Sequence, residues 1–202
     1  MLSAGLPLPN EIIVHGFLTN DGVKISKLLG NSVDPFEVIT NYGSDAVRHF
    51  LLTSIPIFLD SDFSTERLAQ TYTTDLANRL GNLYSRIRVL CEKGQFEYWV
   101  KSPNVLINQD VSLLHQYELA EIPHIAWNEI DRLNAEINEQ RPWELLKESE
   151  RLRLHTLLKD WVHRLYSAVK QLEPYITTAS QEIQNGLCGG QGERILFPPR
   201  RT

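Results

Sequence analysis

The chain contains 202 residues, 42% of them hydrophobic and 22% charged, which is ordinary for a globular protein with a buried core. Its 25 acidic and 20 basic side chains give a formal net charge of -5, so attraction of the whole surface to nucleic acid or anionic lipid is not favoured and any polyanion contact must be local. Cys91 and Cys188 are too far apart in sequence to suggest a disulfide framework or structural zinc, and no apolar stretch approaches the roughly 18 residues of a membrane helix. We expect a cytoplasmic protein that binds neither DNA nor membrane.

The first 65 residues combine strand and short-helix signals. The β-branched run EIIVHGFLT, from Glu11 to Thr19, predicts a strand, and the following NDG predicts a hairpin turn because these residues tolerate positive φ. An exposed loop carrying Lys24 and Lys27 is expected next. Two short helices follow, because Asp34 before Pro35 is a typical helix start and GSDAVRHFLL begins with a similar cap.

From Thr65 onward, apolar residues recur at intervals of three and four, the period of an amphipathic α-helix. Proline positions predict the boundaries: a kink or split at Pro123, a new helix at Pro142, and the end of the last long helix at Pro174. Three stripes predict three long helices that pack as a bundle; they consist of Leu76, Leu80, Leu83, Ile87 and Leu90, then Ala126, Ile130, Leu133 and Ile137, then Leu154, Leu158, Trp161, Leu165 and Leu172.

These signals divide the chain into three parts. Residues 1–65 are expected to form a short α/β segment, residues 66–185 an α-helical bundle, and residues 186–202 an extended or disordered tail rich in Gly and Pro. The predicted fold class is therefore mainly α.

Lys24 and Lys27 are the first candidates for chemistry. Two lysines three residues apart in a Gly-flanked loop can present two ammonium groups to one polyphosphate, where charge grows in a transition state. On this spacing alone, a solvated turn that happens to contain lysines is the commoner explanation, since a four-residue pattern arises often by accident.

A second candidate site lies on the predicted helices. Asn78, Asn82 and Arg86 recur every four residues beside the apolar stripe, so they form a polar ridge that could be a solvated flank or could offer donors and acceptors to base edges. Trp143 follows proline at a helix start, where its ring could fill the core or form an exposed stacking platform. The six histidines show no metal-ligand spacing, so no metal site is predicted.

The segment HGFLTNDGVKISKLLGNSVDPFEVITNYGSDAVRHFLL resembles the KMSKS region of class I aminoacyl-tRNA synthetases over some forty residues. That resemblance implies a loop that closes over ATP, with Lys27 as the lysine that stabilises the departing pyrophosphate, Lys24 as the first lysine and Ser26 between them. The family motif ends in serine where this chain has Leu28, which cannot form a side-chain hydrogen bond.

Segments further along the chain indicate which of the class I synthetases it resembles. DSDFSTERL, DLANRLGNLYSR, NEQRPWELLK and ILFPPR are similar to the linker, anticodon-binding helices and closing motif of methionyl-tRNA synthetases. This resemblance implies that Asn82, Arg86 and Trp143 read the CAU anticodon of tRNA(Met). It also implies that residues 1–65 contain the last catalytic-domain strand, the lysine loop and a stem-contact region.

The HIGH signature of class I active sites is absent from the chain. ATP with Mg²⁺ is therefore expected in a full-length enzyme, and this chain alone is expected to form no adenylate. Three hypotheses stay open: the C-terminal portion of a methionine-tRNA ligase, a stand-alone tRNA-binding module, and a helical interaction protein of synthetase ancestry. The sequence leaves open the oligomeric state, whether Met1 is a natural start, and whether a catalytic half is supplied in cis or in trans.

Overall fold

The computed structural model describes residues 5, 7–20, 22–26, 28, 30–96, 116–189 and 196–198. It begins with a hairpin formed by β1 (Leu18–Asn20) and β2 (Val23–Lys24), which pair antiparallel across a two-residue turn. This hairpin confirms the turn predicted at NDG. A third short strand, β3 (Ser61–Asp62), runs parallel to β1 and gives the strand order β2-β1-β3.

The predicted strand from Glu11 to Thr19 is wrong in its extent, because regular pairing begins only at Leu18. Within the described residues, backbone hydrogen bonds to this segment start at Gly16, whose N–H donates to the carbonyl of Ile57 at 2.8 Å. A side chain at Gly16 could not be accommodated, since a Cβ there would lie 2.2 Å from the carbonyl carbon of Leu59. The partner strand β3 lies far downstream in the chain, and the sequence pattern did not reveal it.

Two short helices follow, as predicted: α1 (Pro35–Tyr42) and α2 (Ser44–Ser54). The Asp34 carboxylate caps α1 by accepting the N–H of Phe36 at 2.9 Å. Gly43 separates the two helices with a φ of 85°, a conformation that disfavours residues with a Cβ. Val38, Phe50, Phe63 and Leu68 form a small core beneath these helices.

The first long helical region comprises α3 (Thr65–Thr71), a π-helix (Tyr72–Gly81) and α4 (Asn82–Lys93). The apolar stripe predicts a plain α-helix here, and the π-helix is a correction to that prediction. All five stripe residues, Leu76 to Leu90, are nevertheless buried. Tertiary packing therefore accommodates a wider turn that the α period does not distinguish.

The remaining helices are α5 (His124–Gln140), α6 (Arg151–Leu172) and α7 (Thr177–Leu187), with short 3-10 turns at Pro142–Leu145 and Glu148–Glu150. Pro123 precedes α5 rather than kinking it, and Arg141, with a φ of 43°, ends it. Pro174 follows the end of α6, as predicted. Helix α7 was not predicted, because its apolar face is short and its residues include Gly186.

The bundle core confirms the mainly α prediction. The predicted stripes of α5 and α6 are buried and meet the stripe of α4 in one continuous cluster that includes Trp161 and Trp127. Phe197 is also buried against this cluster, and its ring contacts Tyr72, whose hydroxyl donates to the carbonyl of Pro198 at 2.8 Å. Within the described ranges, no helix combines the length and apolar character required to cross a membrane.

Helix α2 is attached to the bundle through the beginning of α7. The buried Asp45 carboxylate accepts the N–H groups of Ala179 at 2.6 Å and Thr178 at 3.2 Å, which are among the donors that the first turn of a helix leaves without an internal partner. Arg48 donates from Nε to the carbonyl of Pro174. The segment following the lysine loop is therefore fixed to the C-terminal helices by polar contacts.

We predict that Asp45→Ala lowers the free energy of unfolding by about 1–3 kcal/mol, because the buried N–H of Ala179 and the partly buried N–H of Thr178 lose their acceptor. Urea denaturation followed by circular dichroism measures the change. Asp45→Asn retains one oxygen acceptor and should lose less. Equal stability of the Ala variant and the unchanged protein would contradict this contribution.

Candidate functional site

Ser26 lies on the loop that follows the hairpin, whereas Lys24 is the last residue of β2, so the prediction that this loop carries Lys24 is wrong. Lys24 is exposed at the end of β2, and its Nζ lies 3.6 Å from the centroid of the Phe17 ring, within the range of a cation-π contact. The Ser26 hydroxyl accepts the N–H of Leu28 at 3.3 Å. Lys27 lies outside the described residues.

Asn31 organises this loop, a role that the sequence reasoning missed. Its Nδ2 donates to the carbonyls of Val23 and Lys24 at 3.3 and 3.2 Å, and its Oδ1 accepts the N–H of Ser26 at 2.9 Å. The Asn20 side chain in turn donates to the Asn31 carbonyl at 3.1 Å. One amide therefore holds both sides of the loop together.

Leu28 is 97% exposed, an unusual position for a large apolar side chain. Its backbone N–H contacts Ser26, but its side chain adds no polar group to the loop. Any contact with a phosphate must therefore come from the lysines, from Ser26 or from backbone N–H groups.

Arg86 and Trp143 meet in one surface pocket of about 300 Å³. Arg86 comes from α4, whereas Trp143 stands in the 3-10 turn after α5, where the left-handed Arg141 redirects the chain. The Trp143 side chain is 49% exposed, so the indole is available at the surface. The pocket is otherwise mainly apolar and is lined by Ser85, Val89, Leu90, Lys93, Ile137 and Leu146.

The Arg86 guanidinium is held in place by Asn138 of α5, with 2.6 Å between Nη2 and the Asn138 Oδ1. Partial burial lowers the pKa of Arg86, although an arginine remains charged at neutral pH. Asn138 was not predicted from the sequence, where its only signal is its place in NEQRPW, five residues before Trp143.

Asn82 lies one turn before Arg86 on α4 and is exposed, but it is not part of the pocket lining. Asn78 is exposed on the π-helix one turn earlier. The ridge predicted from the four-residue spacing is therefore present at the surface, and only its last member lines the pocket.

The pocket combines the half-exposed indole of Trp143, the guanidinium of Arg86 and the ammonium of Lys93. A guanidinium has five N–H donors, more than its hydrogen bond to Asn138 uses. An aromatic face together with planar donors can stack and hydrogen-bond an unpaired base. Trp127 and Trp161 are buried in the core, and Trp99 lies outside the described residues. In the part of the chain that the structure describes, no group of His, Cys, Asp or Glu is arranged to hold a metal ion.

The family model and the curated relatives that match this chain belong to the same class of protein. A family model described as tRNA synthetases class I (M) matches residues 1–88. The curated methionine-tRNA ligase of Thermotoga maritima is 35% identical to this chain over a match that covers 91% of this chain. That of Nostoc sp. is 34% identical over a match that covers 94% of this chain. The chain covers only 31% and 38% of these two relatives.

Solved structures agree with this result. Mycobacterium tuberculosis methionyl-tRNA synthetase in complex with methionyl-adenylate matches with a TM-score of 0.75 and 28% identity, over 91% of this chain and 39% of that one. A second structure of the same enzyme bound by methionyl-adenylate matches with a TM-score of 0.70 and 27% identity, over 99% of this chain and 45% of that one. The fold and the matched segments relate the chain to the class I aminoacyl-tRNA synthetases. Within that class, the chain belongs to the methionyl-tRNA synthetase family.

We predict that Asn31→Ala accelerates hydrogen exchange of the Ser26 amide by about tenfold, because the N–H loses its acceptor and the loop loses its cross-link. Amide exchange measured by NMR tests this expectation. Asn31→Asp serves as the control, because it keeps an oxygen for the Ser26 N–H but cannot donate to the carbonyls of Val23 and Lys24. Unchanged exchange in Asn31→Ala would contradict the assigned role.

Proposed function

We propose that this chain is the C-terminal portion of a methionine-tRNA ligase and that its helical bundle recognises the CAU anticodon of tRNA(Met). The observation that carries this proposal is the shared pocket of Arg86 and Trp143 beside the exposed Asn82. Membership of the methionyl-tRNA synthetase family supports it independently. The corresponding division is a catalytic-domain end at 1–65, an anticodon-binding bundle at 66–185 and a C-terminal tail at 186–202.

The proposed contacts follow from the chemistry of the pocket. An unstacked anticodon base lies on the Trp143 ring, a contact that contributes roughly 1–3 kcal/mol. Arg86 donates to a base edge or phosphate, and Asn82 offers both a donor and an acceptor nearby. Lys93 adds a second positive charge. A small basic pocket of this kind provides local attraction for RNA in a chain whose net charge is -5.

We further propose that the lysine loop contributes to ATP-dependent aminoacylation. Lys27 neutralises charge on the departing pyrophosphate, while Lys24 and Ser26 contact the phosphates, with ATP and Mg²⁺ bound chiefly by the remainder of a full-length enzyme. The exposure of Lys24 and its contact with Phe17 fit a side chain that can be displaced toward a ligand. This chain alone is expected to be inactive, because it lacks the HIGH signature.

The alternative is a stand-alone tRNA-binding module or an interaction protein derived from a synthetase, without catalysis. The observation that favours it is Leu28, which replaces the hydrogen-bonding serine of the family motif at an exposed loop position. The sequence encoded upstream of Met1 distinguishes the two: an in-frame HIGH-containing region supports the ligase.

We predict that Trp143→Ala weakens binding of a CAU anticodon stem-loop by about tenfold, because the base loses its stacking surface. Fluorescence anisotropy with a labelled stem-loop at fixed salt concentration measures the dissociation constant. Trp143→Phe should retain most of the affinity. Phe58→Ala, which removes an exposed aromatic ring outside the pocket, is the matched control. Equal affinity of Trp143→Ala and the unchanged chain would reject the anticodon proposal.

A catalytic half is the proposed partner of the N-terminal segment. Ile12, Val14 and Phe17 are exposed before β1, with Ile12 79% exposed. The chain covers about a third of the length of its relatives, which supports a catalytic region as the partner that covers this segment, in cis or in trans. The class I resemblance implies that this region is built on a parallel sheet. An apolar extended segment beside a short sheet is suited to pairing with a further strand.

We predict that residues 1–35 make the isolated chain self-associate with rising concentration, because the apolar segment stays uncovered. Sedimentation velocity over a hundredfold concentration range measures this, and the double variant Ile12→Lys, Val14→Lys should remain monomeric. Glu11→Lys is the charge control. A wild-type chain that remains monomeric, with a protease-resistant N-terminus, would contradict an uncovered docking segment.

A further inference from the structure

A row of polar side chains on α5 contacts the π-helix and α4, the helix that carries Arg86. Asp131, Asn134 and Asn138 are spaced by three and four residues and therefore share one face of α5. We call these three residues the polar seam. Asp131 pairs with the side chain of Arg79, Asn134 bonds its backbone, and Asn138 contacts the guanidinium of Arg86.

The middle contact of the polar seam is to backbone rather than to a side chain. Nδ2 of Asn134 donates to the carbonyl of Arg79 at 2.9 Å and to the carbonyl of Ile130 at 3.1 Å. Arg79 belongs to the last turn of the π-helix. Asn134 therefore connects the backbone of α5 directly to the backbone of the π-helix.

The side chain of Arg79 adds a second connection at the same level. Its Nε and Nη2 donate to the two carboxylate oxygens of Asp131 at 2.8 and 2.6 Å, and its Nη1 donates to Asp75 at 3.1 Å. The guanidinium also lies 4.7 Å from the centre of the Trp127 ring. Burial by itself would lower the pKa of Arg79, but the two carboxylates outweigh it and raise the pKa.

Asp75 extends these contacts to α2. Its Oδ2 lies 3.3 Å from Nε2 of the buried His49, whose ring packs on Trp127. Burial would raise the pKa of Asp75, whereas hydrogen bonds from His49 and Arg79 outweigh this effect and lower it. The π-helix is thus held from one side by α2 and from the other by α5.

The π-helix determines which way the residues after it face. The N–H of Asn82 donates to the carbonyl of Ala77, five residues earlier, so Asn82 stands at the junction between the π-helix and α4. In an α-helix, a shift of one residue in hydrogen-bond register rotates all later side chains by about 100°. A return of this segment to α geometry would therefore turn Asn82 and Arg86 away from their present directions.

We propose that Asn134 and Arg79 are positioning residues for RNA recognition. They hold the π-helix in its register and thereby direct Arg86 into the pocket beside Trp143. This inference rests on the proposed anticodon function and adds residues outside the pocket to it. Neither residue lines the pocket, and both act through Arg86.

The test compares CAU stem-loop binding by the variants Asn134→Leu and Arg79→Met. Asn134→Leu replaces the amide by an apolar group with the same branched arrangement of heavy atoms and leaves the charge unchanged. Arg79→Met removes one positive charge, and Arg132→Met is its matched control because Arg132 lies on α5, is largely exposed and pairs only loosely with Glu129 at 3.7 Å. We expect dissociation constants about five- to tenfold higher for Asn134→Leu and Arg79→Met, and less than twofold higher for Arg132→Met.

A double-mutant cycle separates positioning from general stability. If Asn134 acts through Arg86, then adding Asn134→Leu to Arg86→Ala causes little further loss, whereas independent effects add. Hydrogen exchange of the Asn82 amide supplies a second readout on variants that circular dichroism reports as folded. Exchange should be faster in Asn134→Leu than in Arg132→Met, because the junction loses its backbone support.

The outcomes distinguish this inference from the function on which it rests. Loss of affinity in Trp143→Ala without loss in Asn134→Leu and Arg79→Met overturns the positioning role and leaves anticodon binding intact. Additive losses in the cycle, or unchanged exchange of the Asn82 amide, also overturn it. If Trp143→Ala binds as tightly as the unchanged chain, both proposals are rejected.

Discussion

Packing between α4 and α5 brings the candidate site together. Leu83, Ile87 and Leu90 of one helix and Ile130, Leu133 and Ile137 of the other are buried in the same cluster. Because this apolar contact fixes the two helices side by side, Arg86 on one can reach Asn138 on the other. The chain then turns at Arg141 and places Trp143 at the edge of the same contact. Removal of water from the apolar stripes is therefore what brings Arg86 and Trp143 into one pocket on their border.

The proposed function requires an acidic chain to offer a local site for RNA. Net charge acts over the whole surface and is screened within about 10 Å at moderate salt, whereas Arg86 and Lys93 act at contact distance. Much of the negative charge elsewhere is engaged locally. Glu129, Glu136 and Asp160, for example, all pair with Arg164, with nitrogen-oxygen distances of 2.6 to 2.9 Å.

Two regions with distinct chemistry are joined through α2. The lysine loop is organised by Asn31, and α2 that follows it is fixed to α7 by Asp45 and to the π-helix by His49. The buried His49 has one ring nitrogen near Asp75, while its Nδ1 has no hydrogen-bond partner in the described part of the chain. A buried polar group without a partner lowers the stability of the fold. Packing of His49 against Trp127 and the small core below α2 must offset this loss.

The amino-acid sequence alone determined the burial of the apolar stripes, several helix boundaries and the choice of candidate residues. The three- and four-residue spacing of Leu76 to Leu90 predicted burial correctly, and Asp34 with Pro35 predicted a helix start, because periodicity and capping depend on neighbours in the chain. Asn82, Arg86 and Trp143 were likewise found from spacing and resemblance. Their proposed roles stay predictions.

The tertiary structure decided what depends on residues far apart in the sequence. The pairing of β1 with β3, the π-helix at Tyr72–Gly81, and the contacts of Asn134 and Asn138 all depend on partners that local patterns do not identify. Asn and Asp side chains are equally suited to solvent, to caps and to holding another backbone. Only the packed arrangement of the helices selects among these uses, because it alone determines which carbonyl or guanidinium lies within hydrogen-bond distance.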